Sequence, residues 1–392
     1  MRFVRRAVLI AVLAGAGAAL LWGPAYARAL SLVVRAAQID GWLLRAAELE
    51  ARSWSAGTAF RVPTRHGAIP ARLYRPQGSA DRAVVLTPGV HAMGIDEPRL
   101  QGLAGDLAAS GVAVLTIALP DLVRYRFSTA AVDGIEDAAV WLSSRDDLAP
   151  DGRVGLMGVS FAGGLSVVAA GRPALRDRVA YVFSFGGHGD LPRTLRYLCT
   201  GLEPPGPGEP ASARIVRPPH DYGVAVILLG LADRMVPPEQ VEALRDAIET
   251  FLTASQLTLV DMAMARATFE RSRAVAEMLP EPSATLMRLV NDRNTAALGE
   301  RLLPVLDEVT FPAELSPEHS PPPASPVYLL HGVDDTVIPA VETRLLDAHL
   351  RAQDVDVRAL LSPLITHAEV DRPPAIGEAW RLVSFWADLL RQ

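Results

Sequence analysis

The stretch Arg153-Val-Gly-Leu-Met-Gly-Val-Ser160-Phe-Ala-Gly-Gly164 constrains this chain more than any other. An apolar run too short for a helix leads into Gly158 and Ser160, and a helical pattern then continues to Gly171. A serine between a buried strand and a helix sits on a sharp, strained turn, so its neighbours must be small to let backbone approach. Gly158, Ala162, Gly163 and Gly164 meet that requirement, with Ala162 in place of the last glycine of Gly-x-Ser-x-Gly. The start of the helix offers N–H groups and the positive end of its dipole to a developing negative charge. This is the pattern of a nucleophile elbow. A serine in a glycine-rich strand–helix junction without chemistry is the plainer alternative.

The surrounding sequence supplies the scaffold such a turn needs. Apolar runs at Ala83–Thr87, Val112–Ile117, Val154–Met157, Val179–Phe185, Val327–Leu330 and Val355–Leu361 predict buried strands. Helical patterns at Glu97–Ser110, Thr129–Ser143, Phe161–Gly171 and Val341–Gln353 separate several of them. Strand–helix alternation of this kind predicts an α/β fold with a mostly parallel central sheet flanked by helices. Phe60–Val62 and Ala71–Tyr74 predict an antiparallel leading hairpin.

One interval breaks the alternation. It opens on Pro204-Pro-Gly-Pro-Gly-Glu-Pro210 and closes on Pro321-Pro-Pro323, with helical runs at Glu239–Leu252, Leu257–Met278 and Ser283–Leu303 between. Residues 191–325 therefore predict an inserted helical cap, dividing the core into 58–190 and 326–392. No internal repeat is visible.

Composition narrows the function. The chain has 392 residues, 50% of them apolar, which excludes a disordered chain. Its net charge of −6, from 38 basic and 44 acidic residues, argues against nucleic acid as a partner. It contains no lysine, which excludes Schiff-base chemistry, a Ser-Lys dyad and a Walker-type phosphate loop. The lone Cys199 allows neither an internal disulfide nor a cysteine zinc site, and nothing calls for a cofactor or a metal.

The N-terminus predicts export. Arg2, Arg5 and Arg6 precede an uncharged stretch, Ala7–Trp22, and Ala25-Tyr26-Ala27 offers a cleavage site. Residues 1–27 thus predict either a signal peptide or a membrane anchor: the body would be held at the membrane by an N-terminal helix, or secreted after cleavage near Ala27. Residues 28–57 predict one amphipathic helical linker, lying on the bilayer or packed on the catalytic body.

A nucleophilic serine needs a base and an orienting acid. Val327-Tyr-Leu-Leu-His-Gly-Val-Asp-Asp335-Thr-Val-Ile-Pro339 ends a strand in a turn rich in carboxylate, and Leu364-Ile-Thr-His367 precedes the final helix. In this order and context the chain resembles the α/β-hydrolase superfamily, in its dienelactone-hydrolase and prolyl-oligopeptidase-like esterase branch, over residues 58–190 and 325–392. The resemblance implies an α/β-hydrolase fold and a catalytic triad of Ser160, His367 and Asp335. It also implies an oxyanion hole formed by the backbone N–H groups of Phe161 and Val90, the latter from Leu86-Thr-Pro-Gly-Val-His91, where Pro88 stands in place of a common His.

Asp334 and Asp233 are alternative acids; Leu231-Ala-Asp233-Arg-Met-Val-Pro237 repeats the spacing of the Asp335 loop, though a buried cap helix is the preferred reading there. His91, His188 and Asp121 are candidates for the substrate pocket, or for holding loops in place, and a metal site of His91, His188 and Asp190 is set aside. The implied activity is hydrolysis of a carboxylic ester or related acyl bond through an acyl-enzyme. A peptidase or acyltransferase on the same scaffold is an alternative, as is a catalytically silent membrane-associated binding protein. Cap residues Leu252, Leu257, Leu259, Met262, Met264, Phe269, Met278, Leu286 and Met287 form either the cap's own core or an apolar roof suited to a hydrophobic small-molecule ester.

Overall fold

A computed structural model describes residues 23–258, 260–366, 369–370 and 376–392. The chain opens with α1 (residues 23–36) and α2 (Trp42–Glu50), followed by β1 (Trp54–Ala56), β2 (Phe60–Val62), β3 (Ile69–Pro76) and β4 (Arg82–Thr87). It continues through α3 (Pro98–Ala109), β5 (Val112–Ile117), α4 (Pro120–Val123), α5 (Thr129–Ser143), β6 (Val154–Val159), α6 (Phe161–Ala170) and β7 (Val179–Phe185). Six helices follow: α7 (Leu191–Thr200), α8 (Asp221–Met235), α9 (Val241–Leu257), α10 (Met262–Met278), α11 (Ser283–Asn291) and α12 (Thr295–Asp307). The chain then returns to the sheet with β8 (Val327–Gly332), α13 (Val341–Arg351), β9 (Val357–Ser362), the short β10 (Ile365–Thr366) and β11 (Glu369–Val370), and α14 (Ile376–Leu389).

The main sheet runs β1-β3-β5-β4-β6-β7-β8-β9, with β2 also paired to β3. β3 is antiparallel to β1, β2 and β5, and every pair from β5 to β9 is parallel. With β2 set aside and the strands numbered along the chain, the order across the sheet is 1-2-4-3-5-6-7-8 with an antiparallel second strand. That is the sheet of an α/β-hydrolase, and this is the fold of the chain. The sheet's first strand falls inside the segment expected to be linker.

The central strands read as unbroken apolar runs because both faces are covered. Ala83 and Val85 join one hydrophobic core with α5, α6 and the cap, while Val84 and Leu86 join the other with α1, α3 and α14. The same alternation separates Leu115 from Val114 and Val182 from Phe183.

The expected single helix over 28–57 is two. The chain turns at 37–41, where Gln38 (φ 48) and Gly41 (φ 89) take left-handed conformations. α1 is packed on the body: Ala29, Leu32 and Val34 are buried, Arg35 reaches Asp106 at 2.8 Å, and Tyr26 stacks on Trp380 of α14. Burying Leu32 and Val34 is worth roughly 1.5–3 kcal/mol each, which favours the packed arrangement. α2 buries only Ala47. The apolar segment Ala7–Trp22 lies outside the described residues, and among the described residues no helix is long and apolar enough to cross a membrane.

Between β7 and β8 the described residues form helices and a single isolated bridge, Leu202 to Val216. α8 runs through the cap interior with Val224 to Leu229 buried, and α9 buries Leu244, Ile248, Phe251 and Leu252 on one helical stripe. The two ends of the insertion meet: Glu318 N–H donates to Gly189 O at 3.1 Å. Arg193 of α7 bonds both Glu318 and the fully buried Glu342 of α13, and Glu342 Oε2 also accepts the Gly189 and Asp190 N–H groups.

Candidate active site

β6 delivers Ser160 to the sheet's C-terminal edge, and α6 begins at the next residue. Ser160 has φ 56 and ψ −133, a conformation that L side chains rarely adopt. The turn is locked from both sides. Ser160 N–H donates to Phe185 O at 2.7 Å, and Ser160 O accepts Gly163 N–H at 2.8 Å. A Cβ on Gly158 would stand 2.2 Å from Ala162 O, and one on Gly163 would stand 2.5 Å from Ser184 Oγ. Gly158 is therefore required by backbone contact, and Gly163 by the Ser184 side chain. Phe161 follows as the first residue of α6, its ring 4.7 Å from Phe127.

The loop after β4 lies directly against this bend. A Cβ on Gly89 would stand 3.0 Å from Ser160 Cβ and 3.2 Å from Val159 O. Val90 is the next residue, partly buried against the core, and its carbonyl accepts the Tyr222 hydroxyl at 2.8 Å. His91 Nδ1 accepts Met93 N–H at 3.2 Å, and burial pushes the imidazole pKa down to about 4.

Asp335 follows β8 and is 2% exposed. Its Oδ1 accepts the N–H groups of Val337 (2.8 Å) and Ile338 (3.0 Å), fixing the carboxylate. Oδ2 lies 3.3 Å from His331 Nε2 and 3.5 Å from the point a Gly186 Cβ would occupy. Gly186 directly follows Phe185, whose carbonyl holds Ser160, so the end of β7 stands between Ser160 and Asp335. His331 is wedged by Thr343 at 2.7 Å and by the Ile338 carbonyl at 2.8 Å, and so serves as a support for the acid loop.

The rival acids lie elsewhere. Asp334 points outward, 44% exposed, 3.5 Å from Arg217. Asp233 lies near the end of α8, 60% exposed and 3.8 Å from Arg245. His367 lies outside the described residues.

Two of the pocket candidates make structural contacts. His188 is fully buried behind the elbow: a Cβ on Gly164 would meet its ring at 2.6 Å, and its Nε2 donates to Leu315 O at 2.8 Å. Burial holds its pKa below the usual histidine value. Asp121, at the start of α4, accepts the Ser128 hydroxyl and the loop thereby closes on itself. Among the described residues no group of three His, Cys, Asp or Glu is placed to hold a metal ion. Cys199 is buried in the cap, where desolvation pushes its thiol up to about 12 and keeps it protonated.

The expected apolar roof divides. Leu252, Leu286 and Met287 belong to the cap's own core, whereas Met262, Met264 and Met278 face solvent; Leu259 lies outside the described residues. Three residues near Ser160 escaped the sequence: Tyr125, Tyr222 and Gln256 meet over Val90, where Gln256 Nε2 donates to Tyr125 OH at 2.7 Å. Nothing in their local sequence marks them, because they act on the backbone of a distant loop.

No family model and no curated protein matches the sequence. Among solved structures, an esterase from the hyperthermophilic archaeon Pyrobaculum calidifontis is 18% identical with a TM-score of 0.44, covering 95% of this chain and 92% of that chain. A thermostable carboxylesterase cloned from a metagenomic library is 15% identical with a TM-score of 0.45, covering 86% and 88%. Pyrococcus horikoshii acylaminoacyl peptidase is 11% identical with a TM-score of 0.44, covering 88% of this chain but 42% of that one. At such scores the fold assignment rests on strand order and on the bend at residue 160, not on these likenesses.

Proposed function

We propose that this chain is a serine hydrolase that cleaves carboxylic esters of small molecules through an acyl-enzyme. The observation that carries this is Ser160: a non-glycine residue at φ 56 on a strand–helix junction, held by contacts that only glycine neighbours permit. Strain of this kind costs roughly 1–3 kcal/mol and persists where function requires it.

In the proposed reaction Ser160 Oγ attacks the ester carbonyl and passes its proton to His367, assigned from sequence. The tetrahedral oxyanion takes hydrogen bonds from the N–H groups of Phe161 and Val90. The C–O bond then breaks, His367 protonates the leaving alcohol, and the acyl group stays on Ser160. Water, deprotonated by the same imidazole, releases the acid and restores the serine. Asp335, fixed by two backbone N–H groups, orients the imidazole and balances its transient charge.

The direct test is a fluorophosphonate probe together with hydrolysis of short p-nitrophenyl esters. The wild type should be labelled and active. Ser160→Ala should lose labelling and at least about 10³-fold in kcat. Labelling that survives the substitution would refute the assignment.

A further inference from the structure

Gly89 creates a problem for the site it serves. Its lack of a side chain lets the loop lie against Ser160, where a Cβ would stand 3.0 Å from Ser160 Cβ. A glycine also leaves the following peptide, which carries Val90 N–H, with few torsional restraints of its own. An oxyanion donor must be held in place before the charge develops. Something else has to hold it.

The cap supplies the restraint. Tyr222, in the first turn of α8, donates its hydroxyl to Val90 O at 2.8 Å. The Val90–His91 peptide is planar, so holding its carbonyl fixes that plane and the Cα on which the Val90 N–H plane pivots. Gln256, in the last turn of α9, donates to Tyr125 OH at 2.7 Å and lies 3.5 Å from Tyr222 OH. Tyr125 itself sits at φ 57, a second strained residue, and its ring lies 6.2 Å from that of Tyr222. Burial raises the Tyr222 pKa well above 10, so the hydroxyl remains a donor at every pH at which an esterase is assayed.

We propose that Tyr222 is a positioning residue for the oxyanion hole: by hydrogen-bonding Val90 O it fixes the loop that presents Val90 N–H, making the cap a working part of the hydrolytic centre. This rests on the ester-hydrolase function proposed above. It deepens that function, because the cap then acts on rate as well as on access.

Tyr222→Phe removes one oxygen and keeps the ring. Deleting an oxyanion donor outright costs about 10²–10³ in kcat, so a donor left in place but loosely held should cost about tenfold. The expected result with p-nitrophenyl butyrate is a kcat about tenfold lower, a KM within about twofold, and fluorophosphonate labelling slowed by a similar factor. An unchanged kcat overturns the proposal even if the melting temperature falls, and so does a rise in KM alone, which would make Tyr222 a substrate contact. Should Tyr222→Phe fail to fold, Gln256→Leu takes its place: a fall of about threefold in kcat at constant KM supports the proposal, and a wild-type kcat overturns it. Ser160→Ala separates the two levels. If it stays active, the hydrolase function and the Tyr222 role both fall. If it is dead while Tyr222→Phe keeps wild-type kcat, only the Tyr222 role falls.

Discussion

Neighbouring aspartates separate packing from chemistry at the scale of single residues. Asp335 is buried with two N–H groups on one oxygen, whereas Asp334 is exposed with a guanidinium 3.5 Å away. If Asp335 orients the base, Asp335→Asn should lower kcat by about 10³–10⁴. Asp334→Asn should leave it within about twofold, since an exposed pair is worth about 0–1 kcal/mol. Ester hydrolysis by the two variants checks this, and the reverse pattern would move the acid to Asp334. The sequence could place these residues on the loop after a strand because Gly-x-x-Asp spacing is local. It could not show that His188 is a wedge behind α6, since that depends on Gly164 lying against its ring. It could not reveal Tyr222 for the same reason: a side chain bonded to a remote carbonyl leaves no spacing to read.

Strands and helices are legible where periodicity is strong and blurred where a break costs little. β5 and β7 occupy the expected apolar runs, because strands covered on both faces carry no charged residue, and their Thr116 and Ser184 hydroxyls are buried. The expected helix over Ser283–Leu303 is broken at 292–294 instead. Arg293 turns left-handed (φ 53), and the Asn294 side chain caps α12 by accepting Ala297 N–H at 3.1 Å. The signal was present as an N-cap residue, but the apolar stripe ran through it. Between elements, the contact that most needs its partner is Arg193 with Glu342, whose side chain is 0% exposed. Arg193→Leu would leave that carboxylate buried without its cation, a loss of about 3–5 kcal/mol. Removing Arg358, exposed beside an exposed Asp356, should cost less than about 1 kcal/mol. Urea denaturation of both variants would show the contrast; equal midpoints would refute it.

The whole molecule should weaken on mild acidification. Burial lowers the pKa of His91 to about 4 and also lowers that of His188, while in the unfolded chain both titrate near about 6.5. Between those values the unfolded state binds more protons, so stability is full above pH ~6.5 and falls as pH drops towards ~4. Melting temperature measured across that window should decline in the wild type and decline less in His91→Asn; parallel curves would show that His91 contributes nothing. At this scale the insertion is fastened to the core by a shared hydrophobic cluster and by polar contacts. Its ends leave and rejoin the core at nearly one point, where Glu318 bonds Gly189. An excision at that junction would remove Arg193 from buried Glu342 and uncover the face of the core shared with the cap. If Tyr222 has the role proposed, a cap grafted there would have to bring both a cation for Glu342 and a hydroxyl to hang over Val90.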